Sequence, residues 1–291
     1  MAVGERDPHT GHMTTGHEWN GIKELNAPVP KAVLFFLAVT FLFALGYWVL
    51  MPAWPLGVSY TKGLLGIDQR RTVTEAVQAA QQDRAAWSQK ILDSDYTAVQ
   101  ADPKLMQIVR QTGHTLFGDN CAVCHGLQGQ GGKGYPAIAR APWLWGGDPD
   151  TVAETLRVGI NSGHAETRVS QMMAFGRDKV LERPDILNVA AYVHALSNQD
   201  ATPAATLQAG KAVFDANCVA CHGEDAKGKL EVGAPDLTDK FWIYGGDLQG
   251  IYGTIYNGRQ GWMPAWDGRL SPLDRKILTL YLLDLRSKSK A

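Results

Sequence analysis

Residues 214–228 read "FDANCVACHGEDAKG": two cysteines with two residues between them and a histidine directly behind the second. A close copy, "FGDNCAVCHGLQGQG", occupies residues 117–131, and the two stretches hold all four cysteines of the chain. Gly113, Phe117, Asn120, Cys121, Cys124, His125, Gly126 and Gly131 recur as Gly210, Phe214, Asn217, Cys218, Cys221, His222, Gly223 and Gly228, at a constant offset of 97. Further on, "WLWGGD" (143–148) matches "WIYGGD" (242–247) at an offset of 99, with Gly159 against Gly258. "MMAF" (172–175) parallels "MPAW" (263–266), and each half closes on an amphipathic stretch, "PDILNVAAYVHAL" and "PLDRKILTLYLLDL". The repeat therefore predicts two copies of one small all-α domain, at 107–197 and 206–291, joined by the polar linker "SNQDATPAAT" (197–206).

Three chemistries use C-x-x-C. A four-cysteine zinc site brings its pairs within about 15 to 20 residues, whereas these pairs lie a whole domain apart. A redox disulfide requires neither the following histidine nor a second copy. C-x-x-C-H is the attachment signature of c-type haem, with thioethers from both sulfurs and the histidine as an iron ligand. Two such motifs in matched contexts, consuming every cysteine, point to two covalently bound haem c groups. They are held by Cys121, Cys124 and His125, and by Cys218, Cys221 and His222.

A His-ligated haem iron of an electron-transfer centre most often takes methionine as its sixth ligand. Met263, in "GWMPAW", follows the second motif. For the first, Met172 aligns with Met263, and Met173 falls where the second copy has proline; Met173 is the alternative ligand, and His164 a third. His114 and His194 have no counterpart in the other half and read as packing or surface residues. Two pairings stay open. Ligation is local (His125 with Met172, His222 with Met263), or the methionine loops cross between the near-identical halves, aided by eight extra residues before Met172.

Composition sets the rest. A net charge of −1 argues against a nucleic-acid surface. No charged residue lies between Lys31 and Lys62, and "AVLFFLAVTFLFALGYWVLM" (32–51) is long enough in a helix to cross a bilayer. A cleaved signal peptide would have a shorter apolar region and a small-residue cleavage site; here an uncleaved anchor over 32–56 is expected. Residues 1–31 read as a polar arm without periodicity. Residues 57–106 read as a linker whose Val73, Val77, Ala80, Trp87 and Ile91 mark an amphipathic helix, packed on its own protein or on a partner. Asp102-Pro103 reads as the cap and first turn of the next helix.

The arm "TGHEWNGIKELNAPVP", the anchor end "MPAWP", "YTKGLLG", and the second-half motifs "GAPDLTDKFWIYGG" and "GRQGWMPAW" together resemble the dihaem subunit III of cbb3-type cytochrome c oxidases, the CcoP/FixP family. The resemblance spans essentially the whole chain; Met173, where the family has proline, departs from it. It implies an anchor followed by two class I cytochrome c domains in a bacterial inner membrane, with the arm cytoplasmic and the haem domains periplasmic. It further implies a relay of electrons from a cytochrome c donor to a monohaem subunit and then to the catalytic haem-copper subunit, which reduces dioxygen and pumps protons. In class I cytochromes the carbonyls equivalent to Pro136 and Pro235 orient the ligand imidazoles, and the tryptophans line the haem crevices. A free-standing dihaem carrier of the cytochrome c4 type would use the same halves without need of the arm or of residues 57–112. A dihaem peroxidase would need one iron with an exchangeable sixth ligand, against which the matched Met172 and Met263 argue.

Overall fold

The computed structural model describes residues 4–198 and 202–289; the middle of the linker, residues 199–201, lies outside the described residues. The chain divides into two compact units, one within the first 83 residues and one from residue 84 onward.

In the first unit the arm departs from expectation. It folds into an antiparallel hairpin of β1 (Thr14–Trp19) and β2 (Ile22–Leu25), with Trp19 opposite Ile22 and Glu18 opposite Lys23. The turn is Asn20-Gly21, at φ 50° and 86°. Two positive φ angles define the hairpin turn that Asn-Gly favours. Helix α1 (Lys31–Leu50) follows; its mean hydropathy is 2.4 and none of its residues is buried within the protein. A helix apolar on every side suits lipid rather than water.

The second unit is helical. Helix α2 (Gln69–Asp93) begins in the first unit and ends in the second, where Trp87 and Ile91 pack into the core. Val73 and Val77 in the first unit stay exposed, so packing on its own protein holds for the C-terminal end. After α3 (Tyr96–Ala101), Asp102 caps α4 (Pro103–Asn120): its carboxylate accepts from the N–H groups of Lys104 and Leu105, and Pro103 fills the first turn. Each C-x-x-C-H then forms a separate single turn, α5 (Ala122–His125) and α9 (Val219–His222), the latter following α8 (Ala204–Asn217). Cys121 and Cys218 stand at the junctions. The motif thus lies just past the long helix rather than within its last turn.

Helices α6 (Pro149–Val158) and α10 (Leu248–Asn257) are built alike. Asp148 and Asp247 accept N-cap bonds from Thr151 and Gly250, and both helices stop at a positive-φ glycine, Gly159 and Gly258. The closing helices are α7 (Arg183–Ser197) and α11 (Pro272–Ser289).

These closing helices are exchanged. Helix α11 of the second half packs on α4 and α6 of the first, and α7 of the first half packs on α8 and α10 of the second. Glycine makes both crossings close. A Cβ on Gly113 would lie 2.6 Å from the Cβ of Tyr281, and one on Gly210 would lie 2.2 Å from the Asn188 carbonyl oxygen. One core therefore gathers Val109, Phe117, Leu156, Ile277, Leu280 and Tyr281, and the other Ile186, Val189, Phe214, Ile251 and Ile255. Each core draws from both sequence repeats.

Candidate haem-binding sites

The two C-x-x-C-H turns have the same frame. Cys121 and Cys218 donate their N–H to Phe117 and Phe214 (both 2.8 Å), side chains fully buried in the two cores. His125 and His222 donate their N–H to the cysteine carbonyls (3.0 and 2.9 Å), and each His carbonyl accepts from Gly131 or Gly228 (2.8 Å). At φ 72° and 81° these glycines let the chain return close to Pro136 and Pro235. There His125 Nδ1 donates to the Pro136 carbonyl and His222 Nδ1 to the Pro235 carbonyl, both at 3.1 Å. A carbonyl only accepts, so Nδ1 carries the proton and Nε2 keeps its lone pair. Burial lowers both histidine pKa values, against a smaller opposing effect of the proline bond. Each site presents a neutral imidazole, oriented and basic at Nε2, the form in which histidine ligates a metal.

The cysteines do not resemble redox thiols. All four are free, and burial pushes Cys121 and Cys218 up to about 11, with the neighbouring Cys124 and Cys221 adding to it. Disulfide chemistry in C-x-x-C motifs relies instead on a depressed thiol pKa. Nor, among the described residues, do three or more His, Cys, Asp or Glu side chains converge as a zinc site requires.

The methionines lie across the repeat boundary. Met263, like Cys121 and Trp143, packs against the core holding Phe117, while Met172, like Cys218 and Trp242, packs against the core holding Phe214. Reciprocal backbone bonds fix both segments: Met263 with Ile160 (2.9 and 3.0 Å), Met172 with Arg259 (2.8 and 3.0 Å). The adjoining glycines admit no side chain; a Cβ on Gly159 would lie 2.4 Å from the Met263 carbonyl oxygen, and one on Gly258 2.5 Å from that of Met172. Met173 faces outward and is 55% exposed. His164 is occupied within its loop, its Nδ1 accepting from the Glu166 N–H (3.0 Å) and its Nε2 lying 3.6 Å from Asp267. His114 lies 3.4 Å from the Tyr281 hydroxyl at the α4–α11 crossing, a packing position, and His194 sits in the last turn of α7.

Two arginines escaped the sequence reading. Arg168 bonds Thr155 Oγ1 (2.9 Å) and lies 4.9 Å over the Trp145 ring; Arg259 bonds Thr254 Oγ1 (2.8 Å) and lies 4.3 Å over Tyr244. Thr155 and Thr254, like Trp145 and Tyr244, are repeat equivalents at an offset of 99, and the arginines pair at the offset of 91 that aligns Met172 with Met263, each standing four residues before its methionine. Among the described residues, Trp145 Nε1 is buried without a hydrogen-bond partner. A buried, unsatisfied N–H beside a guanidinium suits a group bearing carboxylates. Together with the oriented imidazoles and adjacent thiols, the residues present fit haem c.

Comparison with known proteins agrees along the whole chain. Residues 11–58 match the family described as the N-terminal domain of cytochrome oxidase-cbb3, FixP; residues 111–197 match cytochrome c; and residues 205–282 match cytochrome c oxidase, cbb3-type, subunit III. A cbb3-type cytochrome c oxidase subunit FixP of Bradyrhizobium sp. (strain ORS 278) is 43% identical over 97% of both chains. The chain belongs to the FixP/CcoP family of cbb3-type cytochrome c oxidase subunits. FixP of Azorhizobium caulinodans is 45% identical over 94% of this chain and 92% of its own. CcoP of Azospirillum brasilense is 44% identical over 98% and 99%. As a FixP/CcoP member the protein is a c-type cytochrome, an electron-transfer subunit of a membrane-bound oxidase and not its catalytic subunit. The match to the FixP N-terminal domain covers most of the arm and the anchor, the part that a free-standing carrier would not need.

Proposed function

We propose that this subunit carries two haem c groups and relays electrons from a cytochrome c donor through a monohaem subunit to the haem-copper subunit, where dioxygen is reduced and protons are pumped. Bound haem c supplies a one-electron iron couple. Cys121 and Cys124, and Cys218 and Cys221, anchor the two groups covalently. His125 and His222 ligate through Nε2 while Pro136 and Pro235 hold the rings in place. Met263 and Met172 complete the ligand sets, and a thioether favours the reduced iron. With four protein ligands committed, neither centre keeps an open position for dioxygen or peroxide.

We further propose that ligation is crossed: His125 with Met263, and His222 with Met172. The observation that carries this is that each methionine packs against the same core as the first cysteine of the other repeat's motif. The exposure of Met173 supports Met172 as the ligand. Because c-type haem is attached outside the bacterial cytoplasmic membrane, the haem domains are periplasmic and the arm cytoplasmic.

Haem staining of denatured protein tests the covalent reading. A Cys218→Ala, Cys221→Ala variant should keep one haem of two; loss of both, or zinc in the wild type, would overturn it. Purification in mild detergent tests the relay: b-type haem and copper should co-purify, and c-type haem alone would indicate an independent carrier.

A further inference from the structure

The segment that follows α1, residues 52–65, is mostly apolar, carries one charge at Lys62, and folds back on the helix end. Residues 54–61 form a small hairpin: Pro55 pairs with Tyr60, Thr61 N–H donates to the Trp54 carbonyl (2.9 Å), and Gly57 turns at φ 83°. Thr61 Oγ1 also accepts from the Trp54 N–H (3.0 Å). The chain then returns to α1. Leu64 N–H donates to the Val49 carbonyl (2.9 Å) and Leu65 N–H to that of Leu50 (3.1 Å). Gly63, at φ 65°, permits the approach, since a Cβ there would lie 2.4 Å from the Leu50 oxygen.

A helix ending in water leaves its last carbonyls to the solvent; where water is scarce, an unsatisfied carbonyl is costly and needs a protein donor. Here protein donors serve two of these carbonyls. The knob so formed exposes Trp54, Leu56, Val58, Tyr60, Leu64 and Leu65, and the Trp54 ring lies 5.0 Å from that of Trp48 on the helix. Six large apolar side chains on one small loop exceed what scattered surface exposure explains. The nearest charge is Lys62, whose long stem can carry its ammonium outward; Asp68, Arg70 and Arg71 come later.

We propose that residues 52–65 form a membrane-embedded collar, seated in the lipid headgroup zone at the C-terminal end of α1. The 20 residues of α1 already span the hydrocarbon core. The headgroup zone beyond it favours tryptophan and tyrosine with their polar edges outward. Continuity with the spanning helix places the collar there, and its lack of charge until Lys62 suits lipid. It would hold the start of α2 at a fixed height above the bilayer.

The test uses the assembled oxidase in lipid nanodiscs, with Val58→Cys carrying a bimane label and Gln81→Cys, an exposed polar site on α2, as reference. Wild-type protein, whose cysteines all lie in the C-x-x-C-H motifs, gives the labelling background. At residue 58, quenching by brominated lipid and a several-fold loss of iodide quenching relative to residue 81 are expected. Iodide quenching equal at the two sites would overturn the proposal. Protection from both quenchers would overturn it as well, by showing a partner subunit over the knob.

Discussion

Ile160 and Met263 exchange a reciprocal pair of backbone hydrogen bonds, 3.0 Å from the Ile160 N–H and 2.9 Å from that of Met263. Ile160 follows α6 in the first repeat and Met263 precedes α11 in the second, so this pair ties the methionine loop of one repeat to the crevice of the other. Met172 and Arg259 make the matching exchange at 2.8 and 3.0 Å. Both pairs fit the proposed crossed ligation, in which each haem site takes its histidine and its methionine from different repeats.

Crossed ligation predicts which centre responds to a change of methionine. In a variant combining Met263→His with Cys218→Ala and Cys221→Ala, only the first haem is retained. Its potential should fall by something on the order of 0.1 V or more, because axial ligands tune haem over a range of about 0.8 V. Redox titration of the single centre checks this. A potential equal to that of the Cys218→Ala, Cys221→Ala parent would mean local pairing.

The closeness of the α4–α11 crossing predicts that Gly113→Ala is disruptive although Ala favours helix. Its Cβ would meet the Tyr281 Cβ at 2.6 Å, an atom that cannot swing away as a side-chain tip can. Overpacking of this kind costs about 1–3 kcal/mol. Thermal unfolding should register the loss, and a surface Gly118→Ala, which meets open space, should not.

Asp284 on α11 predicts a pH dependence. Burial raises its pKa, but Arg110 (2.8 Å) and Lys288 (2.7 Å) outweigh this and hold it below its ordinary value of 3.8. A carboxylate depressed in the folded state stabilises fully above its unfolded pKa and ceases to do so as pH falls through the folded one. The α4–α11 contact should therefore weaken below pH 3.8. An Asp284→Asn variant should be less stable at neutral pH and lose part of this acid sensitivity, as acid titrations followed by circular dichroism would reveal.

The arm predicts a role in assembly. Its hairpin holds Trp19 and Ile22 side by side at the tip, 74% and 75% exposed, which a plain tether has no need to do. Replacing residues 1–56 with an unrelated anchor should weaken co-purification with the other oxidase subunits. Undiminished assembly would show that the rest of the chain docks alone.

Much of the chemistry was legible in linear order. Covalent haem attachment demands cysteines and histidine within one short turn, so Cys121, Cys124 and His125 and their copies appear as a contiguous word. The anchor is equally plain, because a bilayer requires about twenty apolar residues in a row. The hairpin left a readable trace, since Asn20-Gly21 is the strongest short-range turn signal, but the flanking strands are polar and only weakly alternating. Arg168 and Arg259 left a fainter one: each stands four residues before its methionine, but that spacing does not say that the guanidinium turns back to Thr155 or Thr254.

The exchange of closing helices was decided only by the tertiary structure. Gly113 and Gly210 offer equivalent notches, and Tyr192 and Tyr281 offer equivalent aromatic faces, so the local pattern fits either pairing. Near-identical elements can trade places at little cost in local contacts. What selects the exchanged form lies at long range: Arg110 meets Asp284, Tyr281 seats over Gly113, and Met263 pairs with Ile160. In each of these pairs the two partners lie more than 100 residues apart in the chain. The C-x-x-C-H residues stand out because they are contiguous; which methionine lies near which motif depends on contacts such as Met263 with Ile160, more than 100 residues apart, which only folding brings together.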